Sequence, residues 1–233
     1  MSVFASLVER LADLLHPLFG AAAAAAAIVL FTALVRLLVH PLSRAAARGQ
    51  KARTALQPRI AELRAKHAKN PEKLQRAVLE LHAEEKVSPL SGLLPSLCQI
   101  PAFFLLYHLF SSSSIGGEGN GLLGHQLFAA PLGDRWADAL HGGGVFGAAG
   151  LVYLGLFAVV AAVASFNFVR AKRAPLPRIG GGEEVPGVGA ITKVMPFLSF
   201  FTLVTVAVVP LAAALYVITS TTWSALERAV LYR

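Results

Sequence analysis

One cysteine, Cys98, occurs in the 233 residues, alongside two methionines and two tryptophans. A lone cysteine excludes an internal disulfide framework. It also leaves His16, His40, His67, His82, His108, His125 and His141 without thiolate company, and their positions share no metal-ligand spacing. No metal or other cofactor is expected. Phosphate loops are missing too: GEGNGLLG at 117–124 and GGGEEVPGVG at 180–189 are rich in glycine, but neither follows a strand and opens a helix. No grouping of serine, histidine and acid suggests a nucleophile, so an enzyme is not expected. Charge is scarce as well, at 15% of residues, and acids number 13 against 21 lysines and arginines.

What the chain does have is apolar sequence. Apolar residues make up 55% of it and its mean hydropathy is +0.61, outside the usual soluble range. The pattern predicts an all-α polytopic membrane protein with five spans, at 20–42, 91–111, 145–169, 194–209 and 210–227. The last two arise from one apolar stretch that would run about 50 Å as a single helix, too long for a hydrocarbon layer of about 30 Å. Val208-Val209-Pro210 is the expected fold-back, because proline removes a backbone donor.

Eleven cations, from Arg44 to Lys86, lie in the segment 43–90, and five more lie between Arg170 and Lys193. The segments expected on the opposite side hold only Arg10 and Arg135. The positive-inside rule then sets the N-terminus outside, and puts the loops 43–90 and 170–193 and the tail 228–233 in the cytoplasm. The basic cluster follows the first apolar run rather than preceding it, so that run reads as an uncleaved anchor and not as a signal peptide. Before it, in 1–19, Val3, Leu7, Leu11, Leu14, Leu15 and Leu18 recur at helical spacing, which predicts an amphipathic helix lying on the outer interface.

The segment 43–90 reads as a helical hairpin. Leu56, Ile60, Leu63 and His67 form one stripe, and Leu74, Val78, Leu81 and Glu85 another. Asn70-Pro71-Glu72 between them is a helix start, with a cap, a proline at the first helical position and an acid in the first turn. The hairpin is expected to stop at Ser88-Pro89. The outer loop 112–144 reads as irregular, and the Pro- and Gly-rich loop 170–193 as flexible.

Arg36 is the residue that composition leaves unexplained. An arginine at the centre of a spanning helix costs roughly 2.5 to 3.5 kcal/mol on insertion scales. Snorkelling would relieve that cost, since Arg36 lies close to the cytoplasmic end of its span. Yet Thr32, Arg36 and His40 are spaced to share one helix face. Other spans add Ser96 and Gln99, Ser165 and Asn167, then Ser199, Thr202 and Thr205, then Tyr216, Ser220 and Trp223. Each stripe alone fits hydroxyls bonded to their own helix or glue between helices. Together they predict a water-filled groove open to the cytoplasm.

The order of features resembles the YidC-type membrane protein insertases of the Oxa/Alb/YidC family. TALVRLLVHPLSR carries the intramembrane arginine, and the stretch from LQPRIAELRAKHAKNPEKLQ to PLSGLLPSLCQIPAFF carries the most specific likeness. PLAAALYVITSTTWSALERAVLYR looks like the family's last span. The resemblance implies a groove closed outward, a near-essential arginine at Arg36, a groove amide at Asn167 and a mobile cytoplasmic hairpin. Where relatives carry an aromatic pair, only Tyr216 is aromatic here, beside Val217. The chain is expected to be the short Gram-positive form, without an extra first span, a large outer domain or a long basic tail.

The expected function is therefore membrane protein insertion and folding assistance in a bacterial plasma membrane. Its groove residues are Arg36, Thr32, His40, Gln99, Asn167 and Tyr216, and its partners nascent membrane proteins. The basic hairpin could meet the ribosome, the Sec translocon or anionic lipid. It has no interleaved aromatic residue for stacking on bases, so sequence-specific nucleic-acid binding is not expected. Two rivals remain: an anion channel or small-solute transporter, which the absence of paired broken helices or an inverted repeat disfavours, and an assembly scaffold without insertase activity.

Overall fold

The structure is a computed structural model that describes residues 2–87, 94–115, 117–173 and 195–231. Ser88-Pro89 and residues 174–194 of the second basic loop lie outside the described residues, as do the side chains of Ser96, Cys98 and Gln99. The fold is mostly helical. Among the described residues the α-helices, in chain order, are α1 (Ser2–Phe19), α2 (Ala23–Lys66), α3 (Pro71–Glu84), α4 (Leu94–Ser111), α5 (Trp136–His141), α6 (Ala148–Arg173), α7 (Phe201–Val208) and α8 (Leu211–Leu231). Among the described residues two helical stretches, Val3–Lys66 and Ala148–Lys172, are long and apolar enough to cross a membrane, and Pro196–Val208 is a shorter apolar helix.

Gly20 turns the chain between α1 and α2. Its φ of +53 is a left-handed conformation that glycine adopts without a Cβ penalty. As a result α1 doubles back along α2, with the Phe4 and Phe31 rings 6.4 Å apart. The stripe of α1 divides accordingly. Ala5, Val8 and Ala12 are buried, whereas Val3, Leu7, Leu14 and Leu18 stay exposed. Small residues let two helix backbones approach closely, and Ala23, Ala24, Ala25 and Ala27 of α2 are buried too.

α2 is one rod of 44 residues, about 66 Å long at the standard rise. The first expected span and the first arm of the hairpin are thus a single helix, continuous through Pro41 and Pro58. Asn70 caps α3, its side chain accepting from Lys73 N at 3.0 Å. Leu56, Ile60 and Leu81 are buried between the arms, with Leu63 and Val78 packed against them. An Arg59–Glu85 ion pair also joins the arms.

α8 occupies the centre of the bundle. Every residue from Leu211 to Ile218 is buried, and the helix packs against α2, α4, α6 and α7. α7 ends at Val208, Val209 is extended, and Pro210 precedes the start of α8. The free N–H groups at the start of α8 are met from outside the helix: Leu211 N donates to Asp134 O at 2.8 Å and Ala212 N to Leu132 O at 2.9 Å.

Those acceptors belong to the stretch expected to be irregular. Within it, Ser114–Ile115 pairs with Glu118–Gly119 and Gln126–Leu127 with Ala130–Pro131, each antiparallel. Leu122, Ala130 and Leu132 are fully buried in the main core. Asn120 ties the stretch to the end of α4 by donating to Leu109 O at 2.8 Å and Ser112 O at 3.0 Å. Tyr153 of α6 donates to Asp134 O at 2.7 Å. Two-residue strands leave no period-two pattern to read, which is why the packing was not visible in the sequence.

Candidate functional site

Arg36 lies toward the hairpin end of the apolar part of α2 and faces α8. Its Nε donates to Ser220 Oγ at 3.0 Å, and its Nη2 donates to the same oxygen. The guanidinium is partly buried, and its hydrogen-bond partner is a neutral hydroxyl rather than a carboxylate. One turn further along α2, His40 Nδ1 meets Glu227 Oε1 of α8 at 2.7 Å. Glu227 and Arg228 both lie within electrostatic reach of Arg36. Two facing helices therefore carry a polar seam of Arg36, His40, Ser220 and Glu227 through otherwise apolar surfaces.

Of the remaining expected site residues, Thr32 and Tyr216 lie close to this seam. Thr32 is buried on the same face, but its hydroxyl donates to Ile28 O at 2.7 Å within α2. It offers packing and a lone pair rather than a free donor. Tyr216 is buried one turn before Ser220 and lies against Phe103 and Phe110 of α4, with ring centroids 5.8 and 6.0 Å away. Gln99 belongs to α4, but its side chain lies outside the described residues. Asn167 of α6 lines a cavity of about 260 Å³ with Ser199, Thr202, Thr221 and Arg228. Arg36 is not among the residues lining it. Arg228 lies at the cavity and within electrostatic reach of Arg36, and so connects the two regions.

Two members of the seam were not expected as site residues. Ser220 belonged to a noted polar stripe of the last span, yet nothing in that stripe marked it as the arginine's partner. Glu227 carried a detectable signal: it is the only acidic residue in the five expected spans. Several other hydroxyls bond their own helices, as Thr205 does to Phe201 O, Thr219 to Leu215 O and Ser224 to Ser220 O. Among the described residues no group of three or more His, Cys, Asp or Glu could hold a metal ion.

Chemically, the seam offers a cation with reduced solvent screening, in contact with a hydroxyl and near a histidine–carboxylate pair. That arrangement can hold an anionic group by charge and hydrogen bonds; it contains no nucleophile and base in mutual contact.

The model of a family described as "60Kd inner membrane protein" matches residues 14–233. A Clostridium perfringens protein named membrane protein insertase YidC is 44% identical over 84 residues, covering 36% of this chain and 35% of that relative. Relatives of the same name from Anaeromyxobacter sp. and Chlorobium limicola are 41% identical over 87 residues and 40% over 86. Each match covers 37% of this chain, and 16% and 15% respectively of the relative.

Proposed function

The chain belongs to the 60Kd inner membrane protein family, and from that premise we propose that it inserts integral membrane proteins into a bacterial membrane and assists their folding. The observation that carries this reading is the Arg36 guanidinium, which is partly buried on an apolar helix and bonded to the neutral Ser220. Because that partner carries no charge, the bond leaves the guanidinium's positive charge available to an anionic group.

In this reading five spans enclose a hydrated groove open to the cytoplasm, with the Gly20 turn between α1 and α2 outside and the α2–α3 hairpin inside. Arg36 and His40 line it, Thr32 and Tyr216 pack beneath it, and the Asn167 cavity extends its polar surface. Water reaching Arg36 shortens the apolar distance that a polar tail must cross. The cation holds an acidic tail there transiently, because charge interactions strengthen where bulk water is reduced. The client's apolar segment then partitions sideways into lipid, driven by about 25 cal/mol for each Å² of apolar surface withdrawn from water. No nucleotide is consumed in this scheme.

The hairpin, with eleven cations against five acids, fits contacts with ribosomal RNA or anionic lipid near the Sec translocon. Such contacts would be sequence-independent and sensitive to salt.

Insertion of a client with an acidic translocated tail into proteoliposomes tests the proposal. Arg36→Ala should abolish it and Arg36→Lys should retain part of it, since lysine keeps the charge but loses the fork of donors. Equal activity of wild type and Arg36→Ala would sink the mechanism, and ion flux without client insertion would favour an anion channel instead.

A further inference from the structure

Glu227 stands alone as an acid among the five expected spans. Its side chain is 13% exposed, and it accepts from His40 Nδ1 at 2.7 Å across the α2–α8 interface. Burial of a carboxylate is costly unless donors and cations compensate it. Here His40 supplies the donor, while Arg36 feels the carboxylate's charge without bonding to it, its own hydrogen bonds going to Ser220. Arg228, exposed on the next position of α8, adds a second cation to the same neighbourhood.

We propose that Glu227, oriented by His40, is a specificity-determining residue of the Arg36 groove: a resident carboxylate that limits how tightly and how long the groove holds an acidic client segment. The inference rests on the insertase reading above. An unopposed guanidinium in a poorly screened groove would hold a client carboxylate too firmly for a carrier that must release it. A second carboxylate nearby repels the client's acid, and does so only when the client is acidic. Clients with neutral tails pass the same surface without sensing it, so Glu227 acts on the difference between client classes rather than on binding in general.

The test uses the full chain in lipid nanodiscs and two peptides that share one apolar helix and differ only in a tail of two glutamates or two glutamines. Glu227→Gln keeps the shape and can still accept from His40, while Glu227→Asp keeps the charge. Glu227→Gln should tighten binding of the acidic peptide about fivefold, the scale of one partly screened charge pair. It should also slow dissociation of that peptide and leave the glutamine-tailed peptide unchanged. Glu227→Asp should restore most of the wild-type difference, and added salt should shrink it. Equal changes for both peptides would reveal a merely structural role, and no change for either would equally overturn the proposal. Arg36→Ala separates the two levels. If it removes the preference for the acidic tail while Glu227→Gln has no effect, the groove stands and this inference falls. If the preference survives Arg36→Ala, the groove reading fails and takes this inference with it.

Discussion

Ser220 sets the direction of the Arg36 side chain. Two N–H groups of the guanidinium converge on its hydroxyl, which removes much of the rotamer freedom of a long side chain. Replacing it with alanine leaves the charge but not the anchor. We expect Ser220→Ala to reduce insertion of acidic clients several-fold, less than Arg36→Ala does, with unchanged thermal stability in detergent. A larger loss for Ser220→Ala than for Arg36→Ala would contradict this role. Asn120 acts on the fold instead, because its amide satisfies two backbone carbonyls, at Leu109 and Ser112. Asn120→Ala should cost about 1–3 kcal/mol of stability, the typical penalty for leaving buried acceptors unpaired, readable as a lowered midpoint of thermal unfolding. Arg36 was identifiable from the sequence because a charge inside an apolar run is conspicuous. Its partner was not, since 184 positions separate Arg36 from Ser220 and 187 separate His40 from Glu227. Helical periodicity says which residues share a face, not which face meets which.

At the scale of elements, the continuity of α2 links the seam to the basic hairpin. One continuous helix carries both Arg36 and, further along, Leu56 and Ile60 of the hairpin core. The cap at Asn70 is local, so its loss should remain local. Asn70→Ala should weaken α3 by about 1 kcal/mol and accelerate amide exchange over residues 71–84, with little effect on α8. Faster exchange throughout the bundle would show the hairpin to be more deeply coupled than its packing suggests. The start of α6 is tighter: a Cβ at Gly150 would lie 2.4 Å from both Gly144 O and Val145 O. Gly150→Ala should therefore destabilise the protein by about 1–3 kcal/mol through overpacking, seen as reduced yield and a lower unfolding midpoint. The start of α3 was legible because capping is written in adjacent residues. The docking of residues 112–144 on α8 was not, because its bonds to Leu211 and Ala212 use backbone carbonyls that any residue would supply.

For the whole molecule, the distribution of exposed apolar side chains matters most. Leu34, Leu37 and Leu38 on α2, Phe103 and Phe104 on α4, Leu151, Val159 and Phe166 on α6, and Phe201 and Val204 on α7 all face outward. Surfaces of this kind need lipid or another apolar cover. The family assignment bears out the resemblance read from the sequence, and the helical, apolar character agrees with a bacterial membrane protein. Single cysteines introduced at Arg36 and His40 of a Cys98→Ser background should react with a membrane-impermeant thiol reagent from the cytoplasmic side, whereas one at the buried Thr32 should react far more slowly. Silence at both Arg36 and His40 would remove the hydrated groove.

The sequence by itself determined the class of protein, the interruption at Pro210, the helix start at Asn70 and the prominence of Arg36. Each follows from composition or from neighbours a few residues apart, where propensity and capping act. Only the tertiary structure decided that α1 folds back on α2, that α8 is the central helix, and that Arg36 meets Ser220 while His40 meets Glu227. Those outcomes depend on how helix surfaces interlock, and side-chain volumes from distant parts of the chain fix that together.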